Sequence, residues 1–103
     1  MVRILFRRKT LVILDIETVT VFITRTGEVT VFRGLSGPPE NVKVDVPEDW
    51  EATQVADAFL DFLDAYASGD CEGGSAKFCE VFGPAWEQVL RSYDDLREIF
   101  PER

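Results

Sequence analysis

The chain contains no histidine. Its absence removes Ser-His-Asp and Cys-His catalysis, most transition-metal sites and any imidazole switch near neutral pH. No apolar run approaches the ~18–20 residues needed to span a bilayer. Arg7, Arg8 and Lys9 follow a short strand-like run with no small-residue cleavage site after it, so no secretory signal is read. A cytoplasmic protein without a membrane partner is expected. Cysteine is scarce as well: Cys71 and Cys79 lie in and beside a Gly-rich loop, and two thiols without histidine cannot close a zinc site. They are read either as ordinary thiols, with Cys79 packed against the core, or as a disulfide clasping the loop. Such a disulfide would contribute roughly 2–3 kcal/mol. No catalytic group, metal or cofactor is expected.

What is present is a globular composition with a divided charge. At 103 residues, 46% of them hydrophobic, the chain suits a single domain spanning residues 1–103. Eight Phe, two Trp and two Tyr supply much of the apolar area of a small core. Residues 1–33 carry six basic side chains (Arg3, Arg7, Arg8, Lys9, Arg25, Arg33) and three acidic ones (Asp15, Glu17, Glu28). Residues 34–103 carry five basic and sixteen acidic residues, which brings the whole chain to −8. The basic part reads as strands and the acidic part as helices.

Val2, Ile4 and Phe6 alternate with Arg3, Leu5 and Arg7 as a first strand, and Arg8-Lys9 makes a tight turn. Leu11 to Ile16 is almost continuously apolar, as in a strand covered on both faces. The β-branched run Val19 to Thr24 and the alternation Val29 to Arg33 flank a turn at Gly27. A three-residue loop, Thr26-Gly27-Glu28, pairs Phe22 with Phe32 and Ile23 with Val31. Val21, Ile23, Val29 and Val31 then face the core, and Phe22, Phe32 and the threonines face away. Gly34 to Asn41 reads as a loop and Val42 to Val46 as a last short strand. Pro47 opens a long helix that ends at Gly69, Ser75 caps a short helix carrying Phe78, Cys79 and Phe82, and Gly83-Pro84 opens a final helix. The expected architecture is α+β: an antiparallel sheet of about four to five strands (residues 2–46), with two long helices and one short helix (residues 48–100) packed on one face.

Three constellations carry functional expectations. Phe22 and Phe32, side by side among threonines, form a stacking platform for unpaired bases, with Arg25 and Arg33 reaching it from the strand ends. Arg3, Arg7, Arg8 and Lys9 extend the basic track that neutralises phosphates. Read otherwise, Phe22 and Phe32 are core residues beneath the helices. The Phe22/Phe32 and Arg pattern, with strands followed by helices, resembles the archaeal ThermoDBP single-stranded DNA-binding proteins. That resemblance implies an α+β fold that holds bases in a cleft with aromatic and basic residues. Second, Asp15-Ile16-Glu17-Thr18 is similar to the first metal-binding motif of DEDD exonucleases, but no second acidic motif follows, and a bend between strands is the preferred reading. Third, Asp57, Asp61 and Asp64 form an acidic helix stripe, with Asp94, Asp95 and Glu98 near the end. Such a surface suits a basic protein partner, as in an inhibitor, immunity protein or DNA mimic; otherwise it is a solvated helix face.

The leading expectation is a non-enzymatic module that binds single-stranded nucleic acid on its sheet. The alternative is an acidic regulator that binds a protein through its helices. A homo-oligomer is a further expectation, formed through a sheet edge beginning at Val2 or ending at Val46.

Overall fold

A computed structural model describes residues 2–16, 18–33, 39–68 and 76–93; residues 67, 68, 76–79 and 92 are described as backbone alone. The chain divides into two compact units, Met1–Ala56 and Asp57–Arg103.

The first unit holds an antiparallel sheet of five strands in sequential order: β1 (Val2–Arg7), β2 (Leu11–Ile16), β3 (Val19–Thr24), β4 (Glu28–Phe32) and β5 (Glu40–Lys43). β-Branched residues favour the pleat, and the period of two sorts the side chains onto two faces. Val12, Leu14, Ile16, Val19, Val21, Ile23, Val29 and Val31 are each at most 2% exposed and fill one face. Burial of aliphatic side chains of this kind stabilises by about 1.5–3 kcal/mol each. On the opposite face Leu11, Ile13 and Asp15 are half-buried, so β2 is fully covered on one face and partly on the other.

The β3–β4 hairpin corrects the expected register. Its three-residue loop is Arg25-Thr26-Gly27, one position earlier than expected, and the Gly27 N–H donates to the Thr24 carbonyl at 3.2 Å. Gly27 has φ of 86°, the left-handed conformation that the third residue of such a loop requires. Val21 therefore pairs with Val31, Phe22 with Thr30, and Thr20 with Phe32. The displacement is two residues, an even number, so every side chain keeps its expected face. The β1–β2 turn is also one residue later than expected: Arg8 N–H donates to the Leu11 carbonyl at 2.9 Å, which places Lys9-Thr10 at the tip.

β1 departs from simple alternation. Ile4 pairs with Leu14 but Phe6 pairs with Ile13, leaving Leu5 as a bulge. A bulge reverses the phase of a strand. Val2 and Ile4 therefore share the face of Ile16 and Leu14, whereas Phe6 shares the face of Ile13.

β5 begins at Glu40, inside the expected loop, and ends at Lys43 rather than Val46. Beyond it the Val44 N–H donates to the Gly27 carbonyl at 2.9 Å.

α1 (Ala52–Ser68) begins five residues after Pro47. Glu51 is the cap: its carbonyl accepts from the Gln54 and Val55 N–H groups, and its own N–H donates to Gln54 Oε1 at 2.9 Å. This is the returning half of a capping box. The Ala52 N–H, which has no partner within the helix, donates to the Lys9 carbonyl at 2.8 Å and ties the helix start to the β1–β2 turn.

In the second unit α2 (Ala76–Ser92) runs through Gly83-Pro84 without a break, so the expected short helix and final helix are one. The buried residues Phe82, Trp86, Val89, Leu90 and Tyr93 keep one stripe across the proline. Proline disfavours the helical region for the residue before it through a clash with that residue's Cβ, and Gly83 has none. Phe59 and Phe62 of α1 meet Phe82 at 5.6 and 5.8 Å, and Phe59 meets Trp86 at 5.5 Å. The two near edge-on pairs, Phe59–Phe82 at 62° and Phe59–Trp86 at 73°, add about 0.5–1.5 kcal/mol each beyond their buried area. The candidate Cys71–Cys79 disulfide lies outside the described residues, which include Cys79 only as backbone of α2.

Candidate nucleic-acid interface

The half-open face of the sheet is a grid whose rows follow from the strand pairings. One row runs Phe6, Ile13, Phe22, Thr30 and Asn41 across all five strands. The next runs Arg3, Asp15, Thr20 and Phe32. On the other side Leu11 pairs with Thr24, and Glu28 pairs with Lys43. None of these residues is buried, in contrast to the aliphatic face behind them.

Phe22 and Phe32 come together on this face with ring centroids 5.1 Å apart and planes at 61°. They are diagonal neighbours rather than a directly opposed pair, and their edge-to-face contact is the arrangement the ring quadrupoles favour. Both rings are half-buried, so each offers part of a face and not a common coplanar floor. Phe6, 40% exposed, joins the same face two strands away, with the Arg8 guanidinium 5.1 Å from its ring centroid. A cation–π contact of this exposed kind contributes about 0.5–1 kcal/mol. Asn41 Nδ2 donates to Thr30 Oγ1 at 2.6 Å and orders the β5 margin.

The basic residues do not gather evenly around the rings. Arg3 lies on the open face, where its Nη2 meets Asp15 Oδ2 at 2.9 Å. Arg7 pairs with Val12 and so takes the opposite face, though it is exposed, and Lys9 sits at the exposed β1–β2 tip. Arg25 belongs to the β3–β4 loop and lines a cleft of about 420 Å³ together with Lys43, Asp45 and Glu48. Arg33 follows β4 at the far end of the hairpin, where its Nη2 reaches Thr18 Oγ1 at 3.4 Å. Arg25 and Arg33 thus stand at opposite ends of the hairpin. Phe6, Asn41 and Lys43 are the members of this face that sequence reasoning missed.

Comparisons with known protein families, curated proteins and solved structures return no match.

Asp15, expected at a bend, is a strand residue engaged by Arg3, and Glu17 lies outside the described residues. Among the described residues no group of three or more His, Cys, Asp or Glu is placed to hold a metal ion, and no helix is long and apolar enough to cross a membrane. Asp57, Asp61 and Asp64 are all exposed on α1; Asp94, Asp95 and Glu98 lie outside the described residues.

Proposed function

We propose that the open face of the sheet binds single-stranded nucleic acid without chemical turnover. The observation that supports this reading is the presence of three accessible aromatic rings, Phe6, Phe22 and Phe32, on a face whose reverse is buried along β2, β3 and β4. A sheet needs one apolar face to fold, and the second is free to carry function. Base–aromatic stacking contributes about 1–3 kcal/mol per base. The threonines and Asn41 supply hydroxyl and amide groups between the rings, while Arg3, Arg8, Lys9 and Lys43 stand at the margins to meet phosphates. Arg7, Arg25 and Arg33 contribute to the longer-range positive field on this reading. The acidic remainder of the chain confines an anionic strand to the sheet, and the likeness in element order to the ThermoDBP proteins belongs with this proposal, as does a cytoplasmic setting.

The test is a titration of a fluorescein-labelled oligothymidine by anisotropy at two salt concentrations. Binding should weaken with salt, with a log–log slope of roughly −2 for three phosphate contacts. Phe22→Ala/Phe32→Ala should abolish it. Phe22→Leu/Phe32→Leu, which keeps apolar volume and removes the π faces, should weaken it about tenfold or more. Absence of binding at low salt removes this reading. It leaves the acidic stripe Asp57, Asp61 and Asp64, and a basic protein partner, as the alternative.

A further inference from the structure

β1 is an edge strand whose six residues are all exposed. Four of them are apolar: Val2 at 36%, Ile4 at 52%, Leu5 at 53% and Phe6 at 40% exposure. β5, the other edge, has four residues, with Val42 buried and Glu40, Asn41 and Lys43 polar. An edge strand turns alternate N–H and C=O groups away from its sheet, and a strand from another chain can pair with them. Proteins ordinarily keep apolar side chains off such an edge, so the composition of β1 calls for an occupant.

The charge around β1 selects among occupants. Arg3, Arg7, Arg8 and Lys9 fall within and just after the strand and are all exposed; Arg3 remains 67% exposed despite its contact with Asp15. A second copy pairing antiparallel about Leu5 would set Arg3 opposite the other copy's Arg7 at both ends of the ladder, and like charges across a strand pair are destabilising. A basic segment is disfavoured for the same reason. An acidic one gains on both counts.

We propose that the β1 edge receives an extended, acidic segment of another protein by strand addition. Carboxylates of the incoming strand meet Arg3 and Arg7, and its apolar side chains cover Ile4 and Leu5. The bulge at Leu5 makes the recognition specific, because Val2 and Ile4 face one side of the sheet and Phe6 the other. A segment with unbroken alternation cannot match both halves of the edge.

A random octapeptide library displayed on phage, selected against the full chain, supplies the probe. Enriched peptides should carry Asp or Glu separated by β-branched residues. Their amide perturbations should map to Val2–Arg7 in a nitrogen–proton correlation spectrum. Affinity should fall about tenfold or more in Arg3→Glu/Arg7→Glu, and less in Arg3→Gln/Arg7→Gln. N-methylation of alternate peptide amides should abolish binding, since it removes main-chain pairing. Phe22→Ala/Phe32→Ala should leave peptide binding unchanged, so this proposal and the nucleic-acid reading fail separately. Failure to enrich acidic peptides, undiminished binding of the N-methylated form, or a dimer in sedimentation with β1 amides protected would each overturn it. The last outcome would assign the edge to a second copy.

Discussion

Gly27→Ala is the substitution whose cost can be worked most directly from the structure. Gly27 occupies φ of 86°, where a Cβ costs roughly 1–2 kcal/mol. A Cβ there would also overlap the Val44 carbonyl oxygen and stand 3.2 Å from both the Val44 carbonyl carbon and Val46 Cγ2. The obstructing group is backbone, so the chain after β5 must move. The hydrogen bond from Val44 N–H to the Gly27 carbonyl is lost with it, a further ~0.5–1.5 kcal/mol. The expected loss is about 2–3 kcal/mol, a large part of the ~5–15 kcal/mol that holds a typical domain. Urea denaturation measures it, and hydrogen exchange at the Val44 amide should accelerate beyond the global change. Gly27→Asn separates the two causes, because Asn tolerates the left-handed region but still carries a Cβ. It should recover about 1 kcal/mol and no more. A loss below ~0.5 kcal/mol for Gly27→Ala would refute both the loop assignment and the close approach of Val44.

Pro84 is exposed within α2, and Pro84→Ala restores a helical N–H for the Glu80 carbonyl; stability should rise by about 1–3 kcal/mol in thermal or urea denaturation, and a decrease would contradict a helix continuous through this position. Gly83 has open space around it, yet Gly83→Ala should gain little while Pro84 is present and about 1 kcal/mol once it is replaced, a non-additivity read from the same denaturation curves. Gln54→Ala removes the acceptor for the Glu51 N–H and should cost about 0.5–1 kcal/mol, measured as a shift in denaturation midpoint. Asp15→Asn releases Arg3 from an exposed ion pair worth at most about 1 kcal/mol; oligonucleotide affinity should increase and the salt slope steepen by roughly 0.7.

The sheet was largely legible because its period of two is written in Val21, Ile23, Val29 and Val31 against threonine and phenylalanine. Face assignment depends on parity alone, so it survives an error of two residues in the β3–β4 pairing. The pairing itself depends on which loop position holds Gly27, and the need for φ above zero at the third loop residue was the overlooked signal. Phe6 was misplaced for a different reason. Alternation assigns it to Val2 and Ile4, and the bulge that reverses it is marked only by three consecutive bulky residues, Ile4-Leu5-Phe6. The helices failed where local rules compete with tertiary ones. Gly83-Pro84 reads as a start by local chemistry, yet a stripe spanning Phe82 to Tyr93 and a glycine ahead of the proline allow the helix to continue. Pro47 similarly drew attention from Glu51 and Gln54, whose capping contacts fix the start of α1.

The division of charge along the chain is real, but in space the positive charge is not a uniform rim around the sheet. Arg25 and Arg33 stand at opposite ends of the β3–β4 hairpin, and Arg3 is shared with Asp15. The densest positive region is the β1 edge with its turn, where Arg7, Arg8 and Lys9 succeed one another and Arg8 covers Phe6. On the proposed reading, an anion approaching the sheet would meet this basic stretch first, whatever its final seat. A polyanionic strand would then cross from Phe6 over Ile13 to Phe22, perpendicular to the β-strands, along the row of the open face that is apolar on three successive strands. An acidic peptide would stay at the edge, because main-chain pairing runs along β1 and not across it. On the two proposals, the ligand classes would share an entry point and diverge by geometry. Competition between them at β1 is the behaviour this arrangement requires: Phe22→Ala/Phe32→Ala should remove nucleic-acid binding alone, whereas Arg3→Glu/Arg7→Glu should weaken binding of both ligands.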